Sequence, residues 1–415
     1  MIFKRMREQI LDKAIRGQLV PQLAEDGVVD QIGEAPTEVP FDIPDSWKWL
    51  TLESLSIKIG DGLHGTPEYV EDSCYFFING NNLRDGKIVV DEKTKRISFD
   101  TYQRLHVDLD SSTLLLSING TIGSTAFYND EKVALGKSAC YINLGLDLDK
   151  YFLNLVVKSK YFEEFAKNKS TGTTIRNLGL KAIRSWYIPL PPLAEQKRIA
   201  SKIKSLFGEI DRAEKAYEEL QSLANVLRGQ ILQKAIQGKL VPQQPEDGVV
   251  EQIGDAPAEV PFEIPESWKW LKIKEICILQ SGKFIKSSEI SVSGLYPCYG
   301  ANGVRGGVDK YNYDGDYIII GRVGACGNIH IANGKFYVTD NAIVAGFKKD
   351  LIDQKFLALS LTAMNLKKLA SATAQPLITS TKIENLILSL PPLAEQKRIV
   401  AKVETLFEQI DLMTK

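Results

Sequence analysis

Leu190-Pro-Pro-Leu-Ala-Glu-Gln-Lys-Arg-Ile199 recurs without a change as Leu390-Pro-Pro-Leu-Ala-Glu-Gln-Lys-Arg-Ile399. A second repeat pairs Arg7–Leu50 with Arg228–Leu271, without a gap, at about three positions in four. Each copy of this second repeat runs through an acidic, proline-punctuated stretch and ends on a Ser-Trp-Lys-Trp sequence. Self-similarity of this extent indicates one framework that is used twice in the chain.

The two segments between the repeats, about Thr51–Ile188 and Lys272–Leu388, differ in length and share little sequence. Both contain short β-branched and aromatic runs bounded by Gly and Asn turns, and both carry a late helical pattern, near Tyr151–Lys167 and Gln354–Leu369. Each insert is therefore predicted to be a mixed α/β domain. An enzyme with two copies of one active site should instead show matching chemistry inside the inserts.

A long helix is predicted from Pro192 onward, because a proline at the first turn is followed by good helix formers. Its apolar residues recur in alternating steps of four and three, which is the pattern of a coiled-coil seam. Gly17 and Gly238 are predicted C-terminal caps. The sequence at the C-terminus repeats the first half of this helix, and the sequence at the N-terminus repeats its second half. The two terminal helices are therefore predicted to pack antiparallel on the central helix. The alternative is that all of them are ordinary core helices of a single globule. The seam residues are Ile199, Ile203, Leu206, Ile210, Ala213, Tyr217, Leu220, Ala224, Leu227 and Ile231, with Val403, Leu406 and Ile410 at the C-terminus.

The fold class that follows is α/β (α+β): two mixed α/β domains separated by long antiparallel coiled-coil helices, with an approximate two-fold internal repeat. The predicted boundaries are an N-terminal helix at 1–20, an acidic linker at 21–50, domain 1 at 51–189, the central helix at 190–238, a second acidic linker at 239–271, domain 2 at 272–389 and the C-terminal helix at 390–415.

Composition and charge are those of a folded protein of 415 residues, with 44% hydrophobic and 25% charged residues. The net charge of -1 hides an uneven distribution, since Val20–Ser46 and Val241–Ser267 each hold seven acids and no Lys or Arg. The rest of the chain is basic, so nucleic acid is not excluded as a partner. Five cysteines without a CxxC pair, three histidines and no signal-peptide core favour a reducing cytoplasm, with no disulfide, zinc site or membrane segment.

Catalytic motifs are missing from the sequence. The only Pro-Pro pairs stand at helix starts, not in an Asn/Asp-Pro-Pro-aromatic methyltransferase loop. Gly136-Lys-Ser138 lacks the glycine of a phosphate-binding P-loop, because Glu131 occupies that position. The glycine spacing of Gly321–Gly327 lies in a strand-rich region and is typical of a turn. No catalytic or metal site is predicted, so chemistry must come from partners.

The duplicated Leu-Pro-Pro-Leu helix start, Asp61-Gly-Leu-His-Gly-Thr-Pro67, Gly120-Thr-Ile-Gly123 and Tyr296-Pro-Cys-Tyr-Gly-Ala-Asn-Gly303 resemble Type I restriction-modification specificity subunits, over nearly the whole chain. The resemblance implies two target-recognition domains that each read one half of a split double-stranded DNA site, and helices that measure the spacer. It also implies two methyltransferase subunits and motor-nuclease restriction subunits as partners. S-adenosylmethionine, and ATP with Mg, would be bound by those partners, with no cofactor in this chain.

Candidate DNA-contacting residues are polar or basic side chains in the loops of the inserts, where Arg, Lys, Asn, Gln and Thr can reach phosphates or base edges. In the first insert they are His64, Thr66, Asn81, Asn82, Arg84, Thr121, Thr173 and Arg176, and in the second Lys283, Lys286, Asn302, Arg305, Arg322, Asn341, Gln375 and Lys382. Trp47 and Trp268 are predicted to be core residues where linker meets domain. Two alternatives stay open: a coiled-coil scaffold whose inserts bind proteins, and an enzyme of unrecognised type.

Overall fold

The computed structural model describes residues 2–172, 175–371 and 376–414, which form two compact units, Met1–Lys215 and Ala216–Lys415. The helices of unit 1 are α1 (Ile2–Ile15), α2 (Phe99–Leu105), α3 (Lys150–Val157), α4 (Lys160–Lys169), α5 (Leu180–Arg184) and the first half of α6 (Leu193–Ile236). Its strands are β1 (Lys48–Thr51), β2 (Ser56–Asp61), β3 (Tyr75–Ile78), β4 (Leu83–Arg84), β5 (Lys87–Ile88), β6 (Arg96–Ile97), β7 (Thr113–Ser117), β8 (Thr125–Phe127), β9 (Val133–Leu135), β10 (Ala139–Leu144) and β11 (Tyr187–Leu190).

Unit 2 begins within α6 and ends in the C-terminal helix. Its other helices are α7 (Ile273–Ile276), α8 (Gln354–Ala363), α9 (Ser380–Glu384) and α10 (Leu393–Met413). Its strands are β12 (Lys269–Lys272), β13 (Cys277–Ser281), β14 (Tyr296–Gly300), β15 (Gly303–Val308), β16 (Tyr313–Asp314), β17 (Tyr317–Gly321), β18 (Ile329–Ala332), β19 (Lys335–Val338), β20 (Ala342–Phe347) and β21 (Ile387–Leu390).

The two inserts share one topology although they share little sequence. The main antiparallel sheet has the order β2-β10-β7-β8 in unit 1 and β13-β20-β17-β18 in unit 2. A second sheet in each unit contains one parallel pair, β3 with β9 and β14 with β19. A two-stranded sheet closes each insert, β1 with β11 and β12 with β21. The duplication therefore extends to the fold of the inserts as well as to the framework around them.

The late helix expected near Tyr151–Lys167 is in fact two helices, α3 and α4. Ser159 separates them in an extended conformation, and its hydroxyl donates to Val156 O at 2.6 Å. Such a local bond satisfies a carbonyl at the end of α3 and competes with continuation of the helix. In unit 2 the corresponding second helix is reduced to a 3-10 turn of four residues, Leu366–Leu369, against ten residues in α4.

Within unit 1, α1 packs antiparallel to the first half of α6. The Arg7 guanidinium binds Asp211 at 2.5 Å and Glu214 at 2.8 Å. Further along α1, Leu11 and Ile15 join the hydrophobic core that also contains Ile199 and Ile203. Residues later in α1 contact residues earlier in α6, so the two helices run in opposite directions.

Within unit 2, α10 packs in the same way on the second half of α6. Arg228, the repeat partner of Arg7, pairs with Asp411. At the far end, Leu232 lies in one core with Ile399 and Val403.

Most seam residues of these helices are covered inside their own unit. Ile199, Ile203, Ile210, Ala224, Val403 and Ile410 are buried, and Leu206, Leu220, Leu227, Ile231 and Leu406 are half-buried. Ala213 and Tyr217 are exposed, which differs from the continuous seam expected. Tyr217 lies level with the end of α10, since its hydroxyl donates to the main-chain carbonyl of Thr414, and only part of its ring is covered.

Glycine ends the helix in both copies of the repeat, as predicted. Gly17 has a φ of 70° and Gly238 a φ of 69°, a conformation that other residues adopt at a cost. The residue after each glycine donates back to the helix, Gln18 N to Lys13 O at 2.8 Å and Lys239 N to Lys234 O at 2.9 Å. The chain therefore turns sharply into the acidic segment at both places.

A buried tryptophan–glutamate cluster joins the acidic segment to α6 in unit 1. Trp47 is 1% exposed, as predicted for a core residue, and its indole Nε1 donates to Glu195 Oε2 at 2.9 Å. Gln22 Nε2 donates to the other carboxylate oxygen at 2.6 Å. Burial raises the pKa of Glu195, while the two donors oppose that rise. Arg198, one turn along, binds Asp26 through two nitrogens and holds the pKa of that carboxyl below its usual range.

Unit 2 repeats this tryptophan–glutamate cluster nearly atom for atom. Trp268 is 2% exposed and its Nε1 donates to Glu395 Oε2 at 2.9 Å. Gln243 Nε2 donates to Glu395 Oε1 at 2.7 Å, and Arg398 binds Asp247. The acidic segments are therefore attached to the helices by side chains that the repeat itself supplies.

Candidate nucleic-acid interface

In unit 1 several loops meet at the turn Gly136–Ser138, between β9 and β10. The amide of Lys137 donates to Leu63 O at 3.0 Å, which brings in the loop after β2. Ser138 Oγ accepts from Gly80 N at 2.9 Å and Ser138 O accepts from Ile118 N at 3.0 Å, which brings in the loops after β3 and β7. We call these three loops and the turn loop cluster 1.

A close approach of main chains holds loop cluster 1 together. A Cβ on Gly62 would lie 1.9 Å from Leu135 O, so only glycine fits at this point of the loop after β2. The segment after α4 joins the cluster through Gly120 N, which donates to Arg176 O at 3.0 Å.

Loop cluster 1 carries most of the candidate residues of the first insert. The described candidates there are His64 and Thr66 after β2, Asn81 and Asn82 in the 3-10 turn after β3, Thr121 after β7 and Arg176 after α4. All are exposed except Asn82, which is half-buried. Thr173 lies outside the described residues. Arg84 is exposed on β4, in a hairpin beside the cluster.

Several of these side chains already have partners within the loop. The amide of Asn82 accepts from Asn79 N at 3.0 Å and donates to Val89 O at 3.0 Å, so it shapes its turn. His64 Nε2 lies 2.7 Å from Asp61 Oδ2, which orients the ring. Arg84 Nε donates to Asn81 O at 3.3 Å and leaves its other nitrogens to solvent.

Unit 2 builds the equivalent arrangement around the turn Thr339–Asn341, between β19 and β20. Lys283 N, after β13, donates to Val338 O at 2.9 Å, and Thr339 N donates to Tyr299 O at 2.9 Å. Arg322 N, after β17, donates to Asn341 O at 2.9 Å. The loops after β13 and β17 and the end of β14 therefore converge here, and the loop after β14 is bound to the loop after β17 through Asn302 and Asn328. We call these three loops and the turn loop cluster 2.

Loop cluster 2 brings together four candidates from separate parts of the second insert, Lys283, Asn302, Arg322 and Asn341. Lys283 and Asn302 are exposed, and Arg322 and Asn341 are half-buried. The side-chain Oδ1 of Asn302 accepts from Asn328 Nδ2 at 2.7 Å. The remaining described candidates are Lys286 on the same loop as Lys283, Arg305 on β15 and Lys382 on α9. Gln375 lies outside the described residues.

One histidine lies next to loop cluster 2. The ring of His330 packs against Gly303, where a Cβ would lie 3.1 Å from Cε1. Burial lowers the pKa of His330, so the ring is neutral at physiological pH. The positive charge at this end of unit 2 therefore comes from lysine and arginine.

Two basic residues beside loop cluster 1 were not among the sequence candidates. Lys158 and Lys167 line a groove of about 530 Å³ together with Thr121 and Arg176. Lys158 lies between α3 and α4 and Lys167 lies on α4. Within a single predicted helix, scattered lysines are normally solvated, so nothing in the sequence distinguished these two.

Two other kinds of site are missing from the described ranges. No group of three or more His, Cys, Asp or Glu side chains there is placed to hold a metal ion. Every helix in those ranges is too short or too polar to cross a bilayer.

The geometry defines a class of protein: a duplicated chain with two like domains, each presenting a cluster of glycine-pinned loops with polar and cationic side chains. The model of the Type I restriction modification DNA specificity domain matches residues 75–222 and 265–415. The chain belongs to this family and is a Type I restriction-modification specificity subunit with two target-recognition domains.

Relatives and solved structures agree with the family match. The chain is 29% identical over 411 residues to the Type I restriction enzyme MjaVIII specificity subunit of Methanocaldococcus jannaschii, covering 90% of this chain and 89% of that one. It is 39% identical over 145 residues to the EcoprrI specificity subunit of Escherichia coli, a match that covers only 33% of this chain and 36% of the relative. A type I restriction-modification structure has a TM-score of 0.68 at 18% identity, covering 90% of this chain and 93% of that one. The HsdS subunit from Thermoanaerobacter tengcongensis has a TM-score of 0.55 at 18% identity, covering 91% and 93%. Membership of the family favours DNA recognition over the protein-binding scaffold considered from the sequence.

Proposed function

We propose that this subunit recognises a split double-stranded DNA target, with loop cluster 1 reading one half-site and loop cluster 2 the other. The observation that carries the proposal is one topology built twice with different polar side chains at the same place in each copy. For example, Leu63 N donates to Leu135 O at the end of β9, and Lys283 N makes the equivalent bond to Val338 O at the end of β19. Only one of these two loop residues is charged. A common frame with different loop side chains is what two different half-sites require.

We propose further that catalysis belongs to partner subunits. Two methyltransferase subunits would bind the helices and carry S-adenosylmethionine, and motor-nuclease subunits would use ATP with Mg, all in the cytoplasm. Exposed apolar side chains on these helices support docking: Leu223 is 56% and Val226 53% exposed on α6, and Leu412 is 71% exposed on α10. Leu223 and Val226 lie three residues apart and so share one face of α6, where they form an exposed apolar patch of the kind that marks protein association.

Exchange of one insert tests the division between half-sites. Residues 272–388 are replaced by the corresponding insert of another family member, and the methylated motif is determined by methylome sequencing of cells with and without the gene. One half-site should change and the other should stay. The matched control exchanges residues 51–188 and should change the opposite half-site. An unchanged motif in both chimaeras would show that the inserts do not read DNA.

The docking proposal has its own test. Leu223→Asp with Val226→Asp should remove methyltransferase subunits from the purified complex, because both changes place charge on exposed apolar surface without touching a core. Lys202→Asp, on an already polar face of α6, is the control and should leave the complex intact. Retention of the partners by the double variant would show that this face is not the docking surface.

A further inference from the structure

The groove beside loop cluster 1 combines several unpaired cations. It is lined by the loop Gly120–Ser124 and by Lys158, Lys167 and Arg176, with Glu163 as the one acid among its lining residues. All three cationic side chains are exposed. In the part of the chain that the structure describes, none of them forms an ion pair. We call this feature the basic groove.

The loop Gly120–Ser124, which lines the basic groove, contains a glycine turn. Gly120 and Gly123 have φ angles of 76° and 97°, and their own amides are used within the unit, on Arg176 O and Ser117 O. Across residues 2–172 and the two later described ranges, the amides of Thr121 and Ile122 between them have no acceptor. Successive free amides next to positive-φ glycines form a concavity suited to anions.

Unit 2 has the same turn without the same charges. Gly327 N donates to Gly321 O at 2.8 Å, just as Gly123 N donates to Ser117 O at 3.0 Å. Gly324 N donates to Pro376 O, so Pro376 occupies the place that Arg176 has in unit 1.

The helix beside this turn also lacks one of the cations in unit 2. α3 and α8 both begin after an aspartate that caps two amides, Asp149 and Asp353. Counting from these caps, Lys158 corresponds to Thr362. At these two positions unit 1 has cations where unit 2 has Pro376 and Thr362, and unit 2 instead places Lys367 beside its turn.

We propose that the basic groove is a phosphate-binding site, which anchors the DNA backbone next to the half-site that loop cluster 1 reads. This inference rests on the proposed function of the chain. Flexible lysines and a glycine-rich amide turn suit phosphate oxygens, which look the same at every base pair. The groove therefore sets affinity and salt dependence, while the identity of the bases is read elsewhere in loop cluster 1.

The test is the triple variant Lys158→Gln, Lys167→Gln and Arg176→Gln in the full chain, alone and in its assembled complex. Fluorescence anisotropy measures its binding to a duplex that carries the methylated motif, over a series of KCl concentrations. The plot of log affinity against log salt has a negative slope, and each lost phosphate contact makes that slope about 0.9 less steep. The triple variant should therefore have a slope about 2 to 3 less steep than the parent. Affinity at low salt should fall roughly tenfold or more, and the methylated motif should stay the same.

The control removes the same charge from exposed side chains of unit 1 outside the groove, Lys13→Gln, Lys93→Gln and Arg104→Gln, and should keep the parent slope. Arg176→Lys, which keeps the charge, should also keep it. Circular dichroism checks folding, and Lys158→Gln with Lys167→Gln, in which Arg176 is retained, should lower the slope by about 1 to 2 if the triple variant unfolds.

Three outcomes would overturn the inference. A triple variant with the parent slope would show that phosphates do not bind in the groove. A changed methylated motif would show that the groove reads bases instead. A parent that binds no DNA at any salt concentration would remove the proposed function itself, a result distinct from the other two.

Discussion

Glu195→Ala should destabilise the tryptophan–glutamate cluster of unit 1 by about 2 kcal/mol. The change leaves the indole N–H of Trp47 buried without an acceptor, which costs about 1 to 3 kcal/mol. Gln22 is exposed and can return to water, so its lost bond adds little. Alanine favours the helix, and the unfavourable burial of the carboxylate disappears, so neither term raises the cost.

Hydrogen exchange measured by mass spectrometry on peptides covering residues 18–50 is the assay, because it reports the local free energy of opening. A loss of about 2 kcal/mol accelerates exchange roughly 30-fold. In a Trp47→Phe background the same change should cost about 2 kcal/mol less, because the buried N–H that carries the cost is already gone. Glu395→Ala should give the same loss on the unit 2 peptides, because its indole bond is also 2.9 Å long. A cost below about 0.5 kcal/mol in either copy would refute the argument.

Three further predictions concern the caps, the pH dependence and the long helix. Gly17→Ala should lower the melting temperature clearly more than Gly33→Ala, since both glycines have positive φ but only at Gly17 would the Cβ meet another atom, a proline carbon at 2.4 Å. Arg198 lowers the pKa of Asp26, so the carboxylate stabilises the fold above its ordinary pKa, and this stabilisation is lost as the pH falls through the lowered pKa. Asp26→Asn should therefore weaken the dependence of the melting temperature on pH between ~pH 6 and ~pH 2. Inserting one turn within residues 199–231 should change the spacer in the methylome motif and leave both half-sites unchanged, whereas an altered half-site would contradict the separation of roles.

The framework was accessible from the sequence because its signals are local or repeated. The glycine after each copy of the N-terminal helix pattern identified two caps, and the proline at 192 identified the start of α6 to within a residue. Trp47 was correctly placed in a core because a large ring between an acidic segment and a strand needs cover. These inferences need only neighbouring residues or a comparison of the chain with itself.

The common fold of the inserts and the meeting of their loops were not accessible in this way. Strand orders β2-β10-β7-β8 and β13-β20-β17-β18 depend on long-range pairing, which leaves little trace when the paired sequences differ. The role of the turn at Gly136–Ser138 was missed because its contacts are to loops far away in sequence. The break at Ser159 depends on a single hydroxyl, which a periodicity argument does not detect. The candidate DNA contacts remain predictions, and Asn82 shows why: a polar loop side chain can be occupied in shaping its own turn.

A buried glutamine at the start of α6 and of α10 attaches each insert to the repeated framework, and this attachment affects how the insert can evolve. The buried side chain of Gln196 donates to Asp147 O and accepts from Asp149 N, and Gln396 does the same with Leu351 O and Asp353 N. Both glutamines thus hold the insert by a main-chain carbonyl and a main-chain N–H, which every amino acid except proline provides. The glutamine bonds themselves do not depend on the side chains of the insert, so mutation and recombination can change most of an insert while its attachment stays intact. New specificities can in this way arise without a new scaffold.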